Sequence, residues 1–286
     1  MLIGAHESIA GGIELSPDRA VEDGCEVIQI FTGPPSRWNT APLTGESISA
    51  FRKGIVRTGL ESVVVHGAYL INPATPDAAL HQRSGNALLS EYMRCAELGV
   101  DYLVIHPGSH RGSGASGGIA RVAALLDELF DSVKEGPLLL LENTAGSGHT
   151  LGGSFDELSK IKERVMYSNR VAYCFDTAHA FAAGYDISGE EGSENVFARF
   201  DSEAGVELIK VFHLNDTLKP LGSRVDRHAR IGEGILGLLP FARLLQDARF
   251  TQHPGILETP PHTGAGGRYG PQIRTLKSLR AGGSHE

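Results

Sequence analysis

Y-L-V-I-H-P-G-S-H-R-G-S-G-A-S-G-G-I-A-R-V-A-A-L-L-D-E-L-F-D-S-V-K-E-G-P-L-L-L-L-E, residues 102–142, is the stretch that decides the fold. An apolar run of strand length ends on His106. Glycines follow, and apolar residues then return at helical spacing over 119–133. A second apolar run closes the stretch on Glu142. Strand, loop, helix and strand follow one another, the unit from which parallel α/β sheets are built.

The unit recurs in both directions. Short apolar runs, many of them β-branched, lie around residues 2–6, 27–31, 62–66, 102–106, 138–142, 171–176, 208–213 and 255–258. Segments with helical spacing separate them, such as D-A-A-L-H-Q-R-S-G-N-A-L-L-S-E-Y-M-R-C-A-E-L-G over 77–99. Eight alternations in 286 residues, near the roughly 250 usual for the architecture, predict an α/β protein with a single-domain (β/α)8 TIM barrel. Residues 1–280 are expected to form the barrel domain and 281–286 a frayed tail.

At 41% apolar and 21% charged residues, the chain has the composition of a globular protein with a large core. No apolar run approaches the roughly 20 residues of a membrane span, and the start M-L-I-G-A-H-E lacks a basic region followed by an apolar one. A cytoplasmic protein without a membrane partner is expected. Cys25, Cys95 and Cys174 are odd in number, far apart and free of C-x-x-C spacing, so they read as core thiols. A net charge of -8 argues against broad nucleic-acid affinity, so any polyanion site must be local.

Two glycine-rich stretches interrupt the pattern, H-R-G-S-G-A-S-G-G at 110–118 and H-T-G-A-G-G-R-Y-G at 262–270. The first matches the dinucleotide fingerprint formally through Gly112, Gly114 and Gly117. It lies several residues past its strand, however, and a mobile loop accounts for it more simply. The second reads as a flexible loop after the last strand.

The chemistry is written at the strand ends. Seven of the eight runs finish on a group able to bind a metal or a proton, namely His6, His66, His106, Glu142, Asp176, His213 and Glu258. A barrel gathers the C-terminal ends of its strands in one ring, where barrel enzymes keep their active sites. A lone strand-end histidine is more often a satisfied core residue than a ligand. Several histidines and carboxylates at one mouth reverse that reading, because unpaired buried carboxylates are costly and metals are their usual partners. The segment S-R-V-D-R-H-A-R-I-G-E-G, residues 223–234, adds Asp226 and His228, which point the same way if the chain is extended. With His179, the candidate ligands become five imidazoles and four carboxylates: His66, His106, Glu142, Asp176, His179, His213, Asp226, His228 and Glu258. That is enough for about three zinc ions of three or four protein ligands each.

The segments L-V-I-H-P-G-S-H, L-L-E-N-T-A-G-S-G, F-D-T-A-H-A-F-A-A-G-Y-D, H-L-N-D and G-S-R-V-D-R-H-A-R-I-G-E-G, with I-L-E-T near the end, resemble endonuclease IV, the zinc-dependent apurinic/apyrimidinic endonuclease family. The resemblance runs from His6 to about Glu258. It implies a trinuclear zinc centre in which His66, His106 and Glu142 hold the first ion. Glu142 as a bridge, with Asp176, His213 and Glu258, holds the second, and His179, Asp226 and His228 the third. It also implies that Glu142 is catalytic through its bridging position. A zinc-activated hydroxide attacks the phosphate 5′ to an abasic site in duplex DNA, leaves a 3′-hydroxyl, and also trims blocked 3′ ends. Three Zn2+ ions and four ligand carboxylates would give the centre a charge of +2, suited to a phosphodiester in an acidic protein.

Lys210, Lys219, Arg224, Arg227 and Arg230, set against Asp216 and Asp226, give the 210–230 segment a local charge of +3 and suggest a phosphate-contacting rim. Tyr69 stands at the position that in the family lies near the damaged nucleotide. Arg37 and Trp38, in the loop F-T-G-P-P-S-R-W-N-T, form a pair able to wedge into a base stack. Here the chain departs from the family pattern, which has lysine and asparagine where Gly33 and Pro34 stand and its stack-penetrating arginine at Ser36. His6 reads as a substrate contact or a support of the ligands. His110 reads as a DNA neighbour or as hydrogen-bonded to its own loop. A monomer is expected.

Two other readings compete. A sugar isomerase or epimerase on a related barrel uses one divalent ion held by a set like Glu142, Asp176, His213 and Glu258, and has no need of the other five ligands. A non-catalytic binder of damaged DNA would hold zinc in closed, often cysteine-rich cages, which this open inventory does not resemble.

Overall fold

Eight parallel strands close on themselves in the computed structural model, which describes residues 1–38, 40–263 and 267–283. In chain order come β1 (Leu2–His6), β2 (Val27–Ile30), β3 (Val63–His66), β4 (Tyr102–Ile105), β5 (Leu138–Glu142), β6 (Val171–Asp176) and β7 (Ile209–His213). A short antiparallel pair follows, β8 (Asp216–Thr217) and β9 (His228–Ala229). Last is β10 (Pro254–Leu257), which pairs with both β7 and β1 and closes the barrel. The helices between them are α1 (Ser16–Asp23), α2 (Gly45–Thr58), α3 (Ala78–Leu98), α4 (Ala115–Ser132), α5 (Phe155–Arg164), α6 (Thr177–Ala183), α7 (Glu190–Ala204), α8 (Leu239–Gln246) and α9 (Gly270–Arg280). This is the expected (β/α)8 barrel, and each predicted apolar run falls on a barrel strand.

The period of two along each strand divides the core. Val27, Val64, Val104, Leu140, Cys174, Val211 and Ile256 pack together inside the barrel, while their neighbours such as Ile28, Val65, Ile105 and Phe212 join the larger layer beneath the helices. The next inward position on each strand is therefore two residues further on. Those positions are Gln29, His66, His106, Glu142, Asp176, His213 and Glu258, and on β1 His6 follows Gly4 in the same way. One polar group per strand thus stands above an apolar plug.

Local signals set the helix ends. The Asp77 carboxylate accepts the Leu80 N–H at 2.9 Å and starts α3, and Gly99 stops it at φ +70°. α4 begins at Ala115, four residues before the apolar spacing suggested. Its first turn includes Gly118, where an added Cβ would lie 2.9 Å from that of His110, so a close approach of helix to loop requires glycine. The glycines of 112–118 thus serve a helix entry. The expected flexible loop at 262–270 and tail at 281–286 lie partly outside the described residues. No helix among the described residues is long and apolar enough to cross a membrane.

Candidate metal centre

Glu142 is the middle of the site. It is fully buried at the end of β5, and four imidazole nitrogens surround its two oxygens. Oε2 lies 3.1 Å from His66 Nε2 and 3.0 Å from His106 Nε2. Oε1 lies 3.1 Å from both His179 Nδ1 and His213 Nδ1. His213 Nδ1 also faces Glu258 Oε2 at 3.2 Å and Asp176 Oδ2 at 3.8 Å.

The D-x-H pair hangs over the same mouth. Asp226, two residues ahead of His228 at the start of β9, turns to the same side as that histidine, as their spacing predicted, and Arg227 is exposed. Asp226 Oδ2 lies 3.3 Å from His179 Nε2, and Oδ1 lies 3.1 Å from His228 Nε2. The hairpin is held by Asp216, whose buried carboxylate accepts N–H groups from Thr217, Gly232, Gly234 and Leu236 at 2.7–3.0 Å. That explains an acidic residue in H-L-N-D that faces away from the centre.

Hydrogen bonds to the far side of the rings fix which nitrogens are free. His66 Nδ1 donates to the Gly67 carbonyl at 2.8 Å, His179 Nδ1 to that of Asn143 at 3.0 Å, and His228 Nδ1 to that of Glu258 at 3.3 Å. Each neutral ring then turns an Nε2 lone pair toward a carboxylate oxygen. Lone pairs facing each other at about 3 Å repel unless a proton or a metal cation lies between them. Among the described residues, the ion pairs of Glu142, Asp176, Asp226 and Glu258 are all with histidines, and none is with Lys or Arg. Neutral imidazoles and carboxylates converging without a cationic side chain are the donor set of a divalent metal site.

The acid–base balance agrees. Burial disfavours charge on every group here, yet the carboxylates outweigh it. The Glu142 and Glu258 carboxylates push His66 up to about 9, and Asp226 and Asp176 push His228 up to about 9. Against the same burial, His213 and His106 hold Glu142 well below the carboxylate range. His179 and His228 do so for Asp226. These nitrogens attract any available positive charge, and protons compete with metal for them.

All nine predicted ligands therefore meet at one mouth. The donor atoms of Glu142, Asp176, His213 and Glu258 lie within 4.8 Å of one another, as do those of His66, Glu142 and His213, of His106, Glu142 and His179, and of Asp176, His179 and His228. Asp176 thus reaches toward His228 as well as His213, which the sequence did not indicate.

Three supporting amides escaped sequence reasoning. Asn143 pairs with the Asp176 backbone through both ends of its side chain, and Asn215 donates to Asp176 Oδ2 at 2.6 Å while accepting the Glu258 N–H at 2.9 Å. Gln29 contacts His6, His213 and Glu258. The available signals were an asparagine next to Glu142, another two residues past His213, and the two-residue step above Val27.

A cavity of about 750 Å³ opens over the centre, bounded by His6, Ile9, Phe31, Pro34, Pro35 and Tyr69 among others. Tyr69 is 67% exposed and stands edge-on to Phe31, at 5.6 Å between ring centroids. The loop after β2 differs from expectation. Arg37 N–H closes a turn onto the Pro34 carbonyl at 3.1 Å, and Trp38 lies beneath the Arg83 guanidinium, 4.4 Å from its ring centroid, against α3. Gly33, Pro34 and Pro35 face the cavity, while Arg37 and Trp38 line a separate groove. The prolines fix the turn that sends the pair away, and stacking under Arg83 keeps the indole from projecting as a wedge.

The basic rim is smaller than its sequence. Lys210 sits near the start of β7, far below the mouth, and bonds to the Glu207 carbonyl. Arg230 braces the carbonyls of Pro260 and Pro261, and Arg224 reaches that of Gly146. Lys219 is half-buried and Arg227 is exposed. His110 accepts the Gly114 N–H and lies tilted against His149, 5.1 Å between ring centroids, so it organises its own loop.

Known proteins share both the fold and the sequence. The family model described as "Xylose isomerase-like TIM barrel" matches residues 17–279. A probable endonuclease 4 from Citrifermentans bemidjiense is 46% identical over 260 residues, covering 91% of this chain and 92% of its own length. The crystal structure of endonuclease IV from Thermus thermophilus superposes with a TM-score of 0.88 at 32% identity, over 99% of this chain and 100% of that one. D-psicose 3-epimerase from Clostridium cellulolyticum shares the fold alone, with a TM-score of 0.67 at 14% identity over 98% and 96% of the two chains. Identity of this extent over nearly the full length identifies the chain as an enzyme belonging to the endonuclease IV family.

Proposed function

We propose that this enzyme is a zinc-dependent DNA-repair phosphodiesterase that incises duplex DNA 5′ to abasic sites, leaves a 3′-hydroxyl and trims blocked 3′ ends. The observation that carries the reading is the convergence of nine histidine and carboxylate side chains beneath one cavity, six of them lining it. A single-ion isomerase needs only Glu142, Asp176, His213 and Glu258, which leaves five donors without a role.

His66, His106 and Glu142 would hold one ion, Glu142, Asp176, His213 and Glu258 a second, and His179, Asp226 and His228 a third. When bound, zinc supplies a Lewis acid for the phosphoryl oxygens and lowers the pKa of coordinated water to about 7. Everything else falls to the chain. Glu142 keeps two ligand sets in register, since each of its oxygens is shared by two imidazoles. Asn143 and Asn215 hold Asp176 and Glu258 so that their charged oxygens face inward. The wall of Ile9, Phe31, Pro34 and Pro35 excludes water around the reacting phosphate.

Arg224 and Arg227 are proposed to meet the DNA backbone, with Arg230 holding the loop that carries them, and Tyr69 to meet the extruded sugar. Arg37 and Trp38 would touch the duplex beside the cavity. Residues 1–280 form the catalytic unit in this reading. Because every donor comes from one chain, a monomer suffices.

The test is incision of a labelled duplex carrying one tetrahydrofuran abasic analogue. Zinc-loaded protein should cut once, immediately 5′ to the lesion, and Glu142→Ala should not. Failure of fully metallated wild-type protein to cut would overturn the reading.

A further inference from the structure

Two barrel strands, β1 and β2, contribute no ligand to the proposed centre. On β2 the inward position above Val27 is Gln29, fully buried. Its amide Nε2 lies 2.6 Å from Glu258 Oε1, which can only accept, so the nitrogen end is fixed there. Its Oε1 consequently faces His213 Nε2 at 2.9 Å, and that nitrogen must carry a proton. The His213 lone pair is therefore on Nδ1, aimed at Glu142, Asp176 and Glu258. The second amide hydrogen of Gln29 is directed at His6 Nδ1, 2.9 Å away. His6 then carries its own proton on Nε2, a buried atom that has no partner within the protein.

We propose that Gln29 is the positioning residue of the second ion. One neutral amide sets the tautomer of His213, holds the carboxylate of Glu258 and directs the Nε2–H of His6 toward the cavity. No other residue type of this size does all three. A carboxylate at position 29 would repel Glu258, and an apolar side chain would free both His213 and His6 to choose the other tautomer. The role differs from filling space, because it depends on the direction of the amide. It rests on the metal assignment above.

Two measurements test it. In zinc-loaded protein with labelled histidines, long-range 1H–15N spectra should show both His213 and His6 protonated on Nε2. A proton on Nδ1 of His213 overturns the proposal. In the second, bound zinc is counted during titration with a chelator. Gln29→Met keeps the side-chain volume and should release one of three ions at about 10- to 100-fold lower chelator concentration, the usual range for loss of a ligand's hydrogen-bond partner. The other two should be retained as in the wild type. Equal retention of all three would overturn the role. Should Gln29→Met fail to fold, Gln29→Glu keeps an acceptor for His213 but faces Glu258 with like charge, and the same ion must again be released early. Wild-type protein that binds a single ion would refute the metal assignment instead, and the histidine spectrum would still decide what Gln29 does.

Discussion

Replacing Glu142 by Gln tests the centre at its most connected atom pair. The substitution keeps the side-chain shape but removes the charge and places an NH2 group against imidazole nitrogens at 3.0–3.1 Å. Two of the proposed ligand sets share this carboxylate. Losing a group that merely orients a ligand already weakens metal binding by about 10- to 100-fold. Losing a shared ligand should therefore cost about 100-fold or more for each of two ions, near 2.8 kcal/mol each. The third set, His179, Asp226 and His228, keeps its donors and should keep its ion. Metal content after dialysis against graded chelator reads this directly, and the apo-protein's melting curve controls for folding. Incision should fall by at least about 10³-fold, since Lewis-acid stabilisation by metal ions is worth several kcal/mol. A Glu142→Gln protein that retains three tightly held ions would refute the bridging argument, whatever its activity.

Asp226→Asn should release one ion about 100-fold more readily while leaving two, and should slow single-turnover incision more than it weakens duplex binding; loss of all three ions would contradict the separate third set. Metal binding to apo-protein at pH 7.5 should release protons. His66 and His228, held near 9 by carboxylates, are charged there and must become neutral to ligate. Calorimetry in buffers of different ionisation heat measures the release, and its absence would contradict the raised basicity of these two rings. By the same raised values, apo-protein keeps this stabilisation below the ordinary histidine range and loses it as pH rises through about 9. Glu7, buried in the cavity wall, is pushed up to about 7, by burial first and the neighbouring Asp23 second. That raised value makes its contribution complete below the ordinary 4.5 and lost as pH rises through about 7. Glu7→Gln should thus be near neutral at pH 4.5 and stabilise by about 3 kcal/mol at pH 8.5 in urea unfolding; equal effects at both pH values would count against it. Arg37→Ala should weaken binding to abasic and intact duplexes by the same factor, up to about fivefold, because Arg37 lies outside the cavity. A selective loss on abasic DNA would show that the loop moves to reach the lesion.

What was legible in the sequence follows from what strands and ligands require. A barrel strand must be apolar along its buried length, so a His, Asp or Glu closing such a run is conspicuous, and seven strands announced themselves in that way. Asp226 and His228 were readable because an extended chain repeats every two residues. Gln29 was not, because its run continues through Ile30 to Phe31 and a neutral amide carries no charge to draw notice. Counting two residues up from Val27 would have found it. The direction of Arg37 and Trp38 depended on a turn closed by Pro34 and on Arg83, which lies on a distant helix. Lys210 was misplaced because a charge total over 210–230 ignores that a strand carries its two ends to opposite faces of the barrel. The start of α4 was late in the reading because its first turn is built from small residues that carry no apolar signal.

Hydrolysis at the phosphate 5′ to an abasic site is read out by single-turnover incision of the tetrahydrofuran duplex in oxygen-18-labelled water. One labelled oxygen should appear in the 5′-phosphate of the lesion-bearing fragment and a 3′-hydroxyl on the other, and both should be lost when zinc is removed. Unlabelled phosphate, or a phosphate left on the 3′ side, would contradict it.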